Sequence, residues 1–416
     1  MRTEKERRKT VVQINVSDYG STGNIMLQIA DCGEKNGFSV YTVSRGWKGR
    51  QIPKREKHLY VGSFLENGLH HFLGRLTGFE GCFTRFGTAR LIRKLKRMKP
   101  DVIHLHNLHN WFINLPMLFR YIKKKNIPVV WTLHDCWAFT GHCPYFDMAG
   151  CDKWRRGCRG CPLYRSYPES LCDNAEKMYR RKKNWFCGVK NMTVVTPSEW
   201  LAGLARASYL GNYPIRVINN GIDLSVFRPT ESEFRKKHGI PAERFLLLGV
   251  AFDWGPRKGA DVFAEIAKRL DPADFQIVLV GTDDETERSL PEGVLTICRT
   301  QNQSELAEIY TAADLFVNPT REENYPTVNM EALACGTPVL TFRTGGSPEI
   351  PDKTCGSVVP KDDIDALERE ILRIRAERPY PAEACLKRAQ RFDRNEKFME
   401  YIVLYEELVL HGTEKD

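Results

Sequence analysis

No stretch of this 416-residue chain is both long and apolar. The opening Met1–Thr10 is mostly charged, and the run after it, Val11–Val16, is broken by Gln13 and Asn15, too short and too polar for a signal-peptide core or a membrane span. A cytoplasmic location is the expectation that follows. An internal repeat and a low-complexity tract are likewise missing, which excludes solenoids and linker-rich arrays. Neither apolar content (42%) nor charged content (27%) is low enough or high enough for a disordered chain. Its length exceeds what one hydrophobic core serves, so two units are expected.

Cysteine, by contrast, is plentiful. Thiols stay reduced in the cytoplasm, so thirteen of them point to metal binding or core packing before disulfides. Net charge is +10, which favours anionic partners: nucleic acid, an anionic membrane face or a pyrophosphate substrate. The stretch Arg85, Arg90, Arg93, Lys94, Lys96, Arg97, Lys99 holds no acid, while Phe86, Ile92, Leu95 and Met98 recur at helical spacing. That pattern predicts an amphipathic helix with a basic outer face, either simply solvated or resting on an anionic membrane as a peripheral contact at its inner face.

Short β-rich runs alternate with helical stretches: Val11–Val16, Ser39–Val43, Val102–Leu105, Val129–Leu133, Thr193–Thr196, Arg216–Ile218, Phe245–Val250, Gln276–Val280, Leu315–Val317 and Val339–Phe342. Alternation of this kind builds parallel, doubly wound α/β sheets. A new series begins after Asn219-Asn220-Gly221-Ile222-Asp223. The expected division is an N-terminal Rossmann-like domain over 1–211, a second one over 212–386 facing it across a cleft, and C-terminal helices over 387–416 that return to the first. In open α/β sheets ligands sit at the carboxyl ends of the strands.

One such strand end is chemically rich. After Leu315–Val317 come Glu322-Glu323-Asn324-Tyr325-Pro326-Thr327 and a helix-like run from Val328 to Ala334, so Pro326 and Thr327 open a helix that the threonine hydroxyl can cap. A helix start of this kind binds phosphate, and two carboxylates beside it, Glu323 and Glu331, can accept hydrogen bonds from sugar and ribose hydroxyls. Two glutamates eight apart are common by chance on a protein surface.

The surrounding residues are more specific. Glu323-Asn324-Tyr325-Pro326, Glu331-Ala332-Leu333-Ala334-Cys335-Gly336-Thr337-Pro338-Val339 and Gly345-Gly346-Ser347-Pro348-Glu349 resemble the Glu-x7-Glu signature of glycosyltransferase family 4. The likeness extends to Asn219–Asp223 with Phe227-Arg228-Pro229, to Arg257-Lys258-Gly259 and to Gly20-Ser21-Thr22-Gly23. It implies a GT-B fold and retaining transfer from a nucleotide-sugar donor to a glycan or lipid-linked acceptor in polysaccharide assembly. By position it implies that Glu331 binds the donor ribose, that Glu323 meets the transferred sugar as a catalytic residue, that Lys258 holds the diphosphate, and that Asn324, Tyr325, Pro326 and Thr327 complete the donor site. Where the family commonly has an arginine, five residues before the lysine, this chain has Asp253, and Arg257 is read as the substitute. No metal is implied for transfer, since the adjacent acids Asp283-Asp284 and Asp362-Asp363 are not the Asp-x-Asp pair that would bring one to the diphosphate.

In the N-terminal half, Gly20 and Gly23 lie in a strand-to-helix turn where backbone can approach a ligand. His104, His106, Asn107 and His109 cluster at one strand end and His134-Asp135 at another, with one of the histidines expected in the core. His134 resembles the family histidine beside the donor sugar; His106 and Asn107 are acceptor-side candidates. Between 136 and 172 an insertion brings Cys158-Arg159-Gly160-Cys161, the spacing of a zinc knuckle, which Cys143 and Cys151 complete to four thiolates. Structural zinc and plain reduced thiols are the two readings. A nucleic-acid knuckle is disfavoured, because the insertion is embedded in an α/β pattern and the basic residues are scattered, so no nucleic-acid partner is expected. The competing activity is a non-transferring sugar-nucleotide enzyme, a 2-epimerase or hydrolase, on the same scaffold.

Overall fold

A computed structural model describes residues 8–46 and 55–413. Strands β1 (Thr10–Ile14), β2 (Ser39–Arg45), β3 (His58–Val61), β4 (Val102–Leu105), β5 (Val129–Thr132), β6 (Met192–Thr196) and β7 (Ile215–Val217) form one sheet, ordered β3-β2-β1-β4-β5-β6-β7. Strands β8 (Phe245–Val250), β9 (Phe275–Val280), β10 (Leu295–Ile297), β11 (Leu315–Asn318), β12 (Val339–Phe342) and β13 (Gly356–Val359) form a second, ordered β10-β9-β8-β11-β12-β13. Pairing is parallel in both sheets, for example Val12 opposite Ile103 and Leu248 opposite Val278.

Parallel sheets of this kind bury both faces, and the side chains divide accordingly. From β1 and β5, Val12, Ile14, Val129 and Trp131 enter one core while Val11 and Val130 enter the opposite one. In the second sheet Leu246 and Leu248 face one core, Phe245 and Leu247 the other. The residues opposite Val11 and Val130 come from the chain's end: Phe398, Tyr401, Ile402, Leu404 and Tyr405 of helix Arg394–Thr413. Tyr405 donates or accepts at His104 Nδ1 (2.6 Å), whose other nitrogen meets Thr132 Oγ1 at 2.8 Å, so His104 is the core histidine.

The chain divides into two compact units, with Ile218 closing the first, Asn219–Lys397 forming the second, and Phe398 rejoining the first. The expected boundary at 211/212 falls earlier, because β7 pairs with β6 (Val195 opposite Arg216) and carries residues up to 218 into the first sheet. The return expected from 387 begins at Phe398, since Cys385, Ala389 and Phe392 are still packed in the core of the second unit.

Candidate active site

Strand order reverses between β8 and β11, and such a switch point opens a crevice at the carboxyl ends of the two strands. The loop after β8 carries Arg257 and Lys258, and the loop after β11 carries Glu323. Lys258 Nζ donates to Glu323 Oε2, and Arg257 Nη1 donates to the Glu322 carbonyl at 3.0 Å. Arg321 clamps the same loops, donating to Pro256 O (2.7 Å), Asp261 Oδ2 (2.7 Å) and Asp362 Oδ1 (2.5 Å). From the side of β12, Gly345 (φ +54°) lies so close that a Cβ there would sit 1.7 Å from the Glu323 carbonyl oxygen. Only glycine fits this approach. Gly346 N–H then donates to Asn324 O at 2.9 Å, which fixes the glutamate loop from the other side.

These contacts set the charges. Burial works against ionisation of Glu323, but the Lys258 ammonium, Arg257 and the Asn324 N–H outweigh it and hold the carboxyl below its usual range. Glu331 lacks a cation: burial pushes it up to about 7, against hydrogen bonds from Tyr310 and Thr327. The two glutamates therefore differ in protonation near neutrality.

Helix Thr327–Ala334 begins with Pro326 at its cap position and no side-chain cap. The threonine hydroxyl that could have capped it bonds Glu331 one turn on, which corrects the expected role of Thr327 and leaves the first backbone N–H groups uncapped by side chains. Tyr325 is also placed differently from expectation: its ring is buried against Phe392 and its carbonyl accepts from Asn220 Nδ2 (3.3 Å), so any ligand contact falls to its backbone. Asn324 is buried beside it.

Glu331 lines a cavity of about 620 Å³ with Phe252, Asp253, Thr282, Arg299 and Val328. Of these, Phe252, Thr282, Arg299 and Val328 were not singled out as ligand contacts by sequence reasoning: Phe252 and Thr282 follow β8 and β9, whose ends were the available signal, Arg299 follows β10, which no apolar run announces, and Val328 lies in the first turn of helix Thr327–Ala334. Phe252 is 92% exposed, an apolar ring on the cavity wall. Arg257 is tied to Glu322, and Asp253, the position it was expected to replace, faces this cavity. Asp283 and Asp363 cap helices through Thr286 N–H and Ala366 N–H, both at 2.8 Å. The triplet Asp363-Ile364-Asp365 does have the Asp-x-Asp form, but Asp365 is paired with Arg269 (2.6 Å) on the surface.

In the first unit the order reverses between β1 and β4; the loop after β4 carries His106 and Asn107, and Gly20 and Gly23 lie in the first turn of the helix after β1, not in the turn before it. Gly20 (φ +71°) opens helix Gly20–Lys35, and Gly23 packs against the Asp18 backbone, where a Cβ would meet Asp18 C at 2.8 Å. His106 is 1% exposed with both ring nitrogens engaged, Nδ1 to His134 Nε2 (3.1 Å) and Nε2 to the Gln13 side chain (3.0 Å), so it orients His134 and does not itself reach an acceptor. Burial carries His134 down to about 4, against the pull of Asp135, which leaves it neutral. Asn107, half-buried, is held by its backbone N–H to Asn15 Oδ1 (3.1 Å).

A buried polar cluster beside these residues was missed. His109 Nε2 meets Asp135 Oδ2 at 2.9 Å; Glu80 Oε2 accepts from Trp137 Nε1 at 2.9 Å; and Lys182, fully buried, stands 3.5 Å from the Trp137 ring centre. Glu80 stands alone between glycines and Lys182 is hidden in the basic run Arg180-Arg181-Lys182-Lys183, so no spacing in the sequence brings them together. The four cysteines Cys143, Cys151, Cys158 and Cys161 line one small void with His142 and Lys153. Gly141 N–H donates to Cys158 Sγ at 3.1 Å. Among the described residues no three His, Cys, Asp or Glu side chains are positioned to hold a metal ion.

Two Rossmann-like domains, with paired basic and acidic loops at the switch point of the second, define the GT-B class. The Glycosyltransferase Family 4 model matches residues 22–226 and the Glycosyl transferases group 1 model residues 242–377. The chain belongs to this glycosyltransferase family. Among solved structures it is similar to sucrose-phosphate synthase from Thermosynechococcus elongatus (TM-score 0.71, 18% identity, 97% of this chain and 100% of that one) and to Anabaena HepE in complex with UDP and glucose (TM-score 0.67, 16% identity, 96% and 100%). At these identities the likeness is one of fold. Among curated relatives it is 27% identical over 278 residues to a putative colanic acid biosynthesis glycosyl transferase of Escherichia coli, covering 64% of this chain and 65% of that one. It is 33% identical over 202 residues to a D-inositol 3-phosphate glycosyltransferase of Saccharomonospora viridis, covering 43% and 46%. The matches thus span less than two thirds of the length of these relatives.

Proposed function

We propose that the chain is a retaining glycosyltransferase that moves a sugar from a nucleotide-sugar donor to a glycan or lipid-linked acceptor, in surface polysaccharide assembly. The observation that carries this is the second unit's switch point, where Lys258 and Glu323 pair beside the cavity lined by Glu331. In this reading the cavity takes the nucleoside, Glu331 accepts from ribose hydroxyls, and Lys258 stabilises charge developing on the departing diphosphate. Arg257 and the backbone of Asn324, Tyr325, Pro326 and Thr327 support the diphosphate and sugar. Glu323, kept ionised, meets the transferred sugar, and His134, neutral and aligned by His106, lies beside it against a sugar hydroxyl. Gly20, Gly23 and Asn107 belong to the remaining ligand contacts.

Transfer itself needs no cofactor in this scheme. Zinc enters only as a structural ion held by Cys143, Cys151, Cys158 and Cys161. Burial pushes the Cys158 thiol up to about 11, so a bound cation is what would keep it a thiolate. The colanic acid name of the E. coli relative supports a polysaccharide role, and the named relatives are transferases, which disfavours the epimerase and hydrolase reading. A thermal-shift screen of nucleotide sugars identifies the donor, since a ligand of the folded state raises the melting temperature by mass action. Product analysis by NMR then tests the rest: sugar released or epimerised in the absence of acceptor, or an inverted anomeric centre in the product, would overturn it.

A further inference from the structure

Helix Phe64–Thr77 carries its polar side inward. Asn67, His70 and Gly74 are its buried residues. Asn67 Nδ2 donates to Val61 O at 3.2 Å, and His70 meets Thr84 Oγ1 at 2.6 Å and accepts from Gly81 N–H at 3.2 Å. The outward side is apolar: Leu65 (80% exposed), Leu69 (57%), Phe72 (62%) and Leu76 (43%), spaced four, three and four apart on one face, with Phe64 (60%) at the start. Exposed apolar side chains on soluble proteins are ordinarily scattered, and a contiguous stripe marks an interaction surface.

Neighbouring elements extend the stripe. The Glu66 carboxylate accepts from Phe86 N–H (2.8 Å) and Gly87 N–H (3.0 Å), which sets the start of helix Arg85–Met98 against the start of this one. Phe86, 82% exposed, thereby joins the apolar side. At the other end Leu171 N–H donates to Arg75 O at 2.7 Å, and the Leu171 side chain is exposed. Onward from that shared start, Arg90, Arg93, Lys94 and Arg97 are exposed along helix Arg85–Met98, and the sequence from 81 to 99 contains no acid.

We propose that this surface docks the protein on an anionic lipid bilayer, the apolar stripe of helix Phe64–Thr77 lying at the boundary of headgroups and acyl chains and the cations of helix Arg85–Met98 meeting the headgroups. Fourteen residues give a helix of about 21 Å, short of the ~30 Å hydrocarbon core, so it lies in the plane of the interface. Charge decides against a second copy of the chain as occupant: a two-fold contact through this face would bring two basic helices together. The surface is independent of the transferase assignment, so a protein that binds vesicles and transfers nothing would leave the inference standing.

Flotation of the full-length protein with vesicles of phosphatidylcholine alone, or of phosphatidylcholine with phosphatidylglycerol, tests it without any activity readout. We expect flotation with the anionic vesicles, weakened by salt, and a loss of at least about 10-fold in both Leu69→Asn/Phe72→Asn and Arg93→Glu/Lys94→Glu. The two double variants alter different helices at exposed positions and are expected to melt as the wild type does. Absence of flotation in the wild type, or variants that float equally well, overturns the proposal. So does a wild-type dimer, seen by light scattering, that Leu69→Asn/Phe72→Asn converts to a monomer without any lipid binding.

Discussion

Lys258 and Glu323 are one part-buried ion pair, and this shapes how each is tested. Removing the cation leaves a part-buried carboxylate held only by the Asn324 N–H and the nearby Arg257, so the cost falls below the about 3–5 kcal/mol of breaking a fully buried pair. Lys258→Met is therefore expected to lower the melting temperature as well as to weaken nucleoside diphosphate binding, and Lys258→Met/Glu323→Gln should recover the stability but not the affinity. Glu323→Gln alone should spare nucleotide affinity in calorimetry and reduce turnover, because its proposed partner is the sugar; a loss of nucleotide affinity in that variant would count against the division of labour. Glu331 is the counterpart without a cation. Its value of about 7 lies above the ordinary 4.5, so between those pH values the folded chain holds a proton that the unfolded chain releases, and stability falls as pH rises through this window. Ribose hydroxyls favour the ionised form, so nucleotide binding should release a proton and tighten as pH rises toward and past about 7. Calorimetry in buffers of different ionisation enthalpy measures that release, and it should vanish in Glu331→Gln; an equal release from the variant would assign the proton elsewhere. Residue identities at this site were legible because the motif is long. The division between orienting and contacting side chains was not: His106 and His134 look alike in sequence and are both buried, and the orienting role of His106 shows only in the two partners of its ring.

At the scale of elements, every central strand was legible, and of the four edge strands only β7 was. β3, β10 and β13 are absent from the sequence expectation, and each lies at a sheet edge where residues are only partly buried, so no continuous apolar run announces them. Helix Phe64–Thr77 misleads in the other direction, since an apolar stripe at helical spacing ordinarily predicts a core face and here faces outward. Phe86 was expected on the inner face of its helix and is exposed for the same reason. The cysteine insertion has only two short 3₁₀ turns, Trp137–Phe139 and Lys153–Arg155, so its order rests on side chains. If the four thiols close around zinc, metal binding is coupled to folding of the insertion. Elemental analysis should then find about one zinc per chain. Cys158→Ser or Cys161→Ser should lose it and become protease-sensitive between Thr140 and Asp173, while nucleotide binding by the second unit persists. Metal-free protein with a protease-resistant insertion would make these cysteines packing residues.

For the whole molecule the decisive feature is that the last helix begins in one unit and ends in the other. The alternation of strands and helices gave the doubly wound class and the repeat of two sheets, but the exact return point depends on which core Phe398, Tyr401 and Tyr405 enter, and their spacing fits either. Their burial against Val11, Val40, Val102 and Val130 means that the first sheet has one face finished by the final residues of the chain. Tyr405→Ala removes a fully buried ring and leaves His104 without the hydroxyl at Nδ1. Loss of a large buried aromatic costs about 3–5 kcal/mol, and a lost buried hydrogen bond about 1–3 kcal/mol, so Tyr405→Phe should be clearly the milder of the two. Both losses belong to the first unit, because no residue that contacts Tyr405 in that core lies within Asn219–Lys397. Native-state hydrogen exchange is the suitable measurement, since it reports local and sub-global opening separately. In Tyr405→Ala, protection should fall across β1, β4 and β5 by a factor set by the lost stability, while β8, β9 and β11 keep theirs and nucleoside diphosphate affinity is unchanged. Equal loss of protection in both sheets would show that the two units unfold as a single cooperative body, and that the return of the chain at Phe398 couples their stabilities.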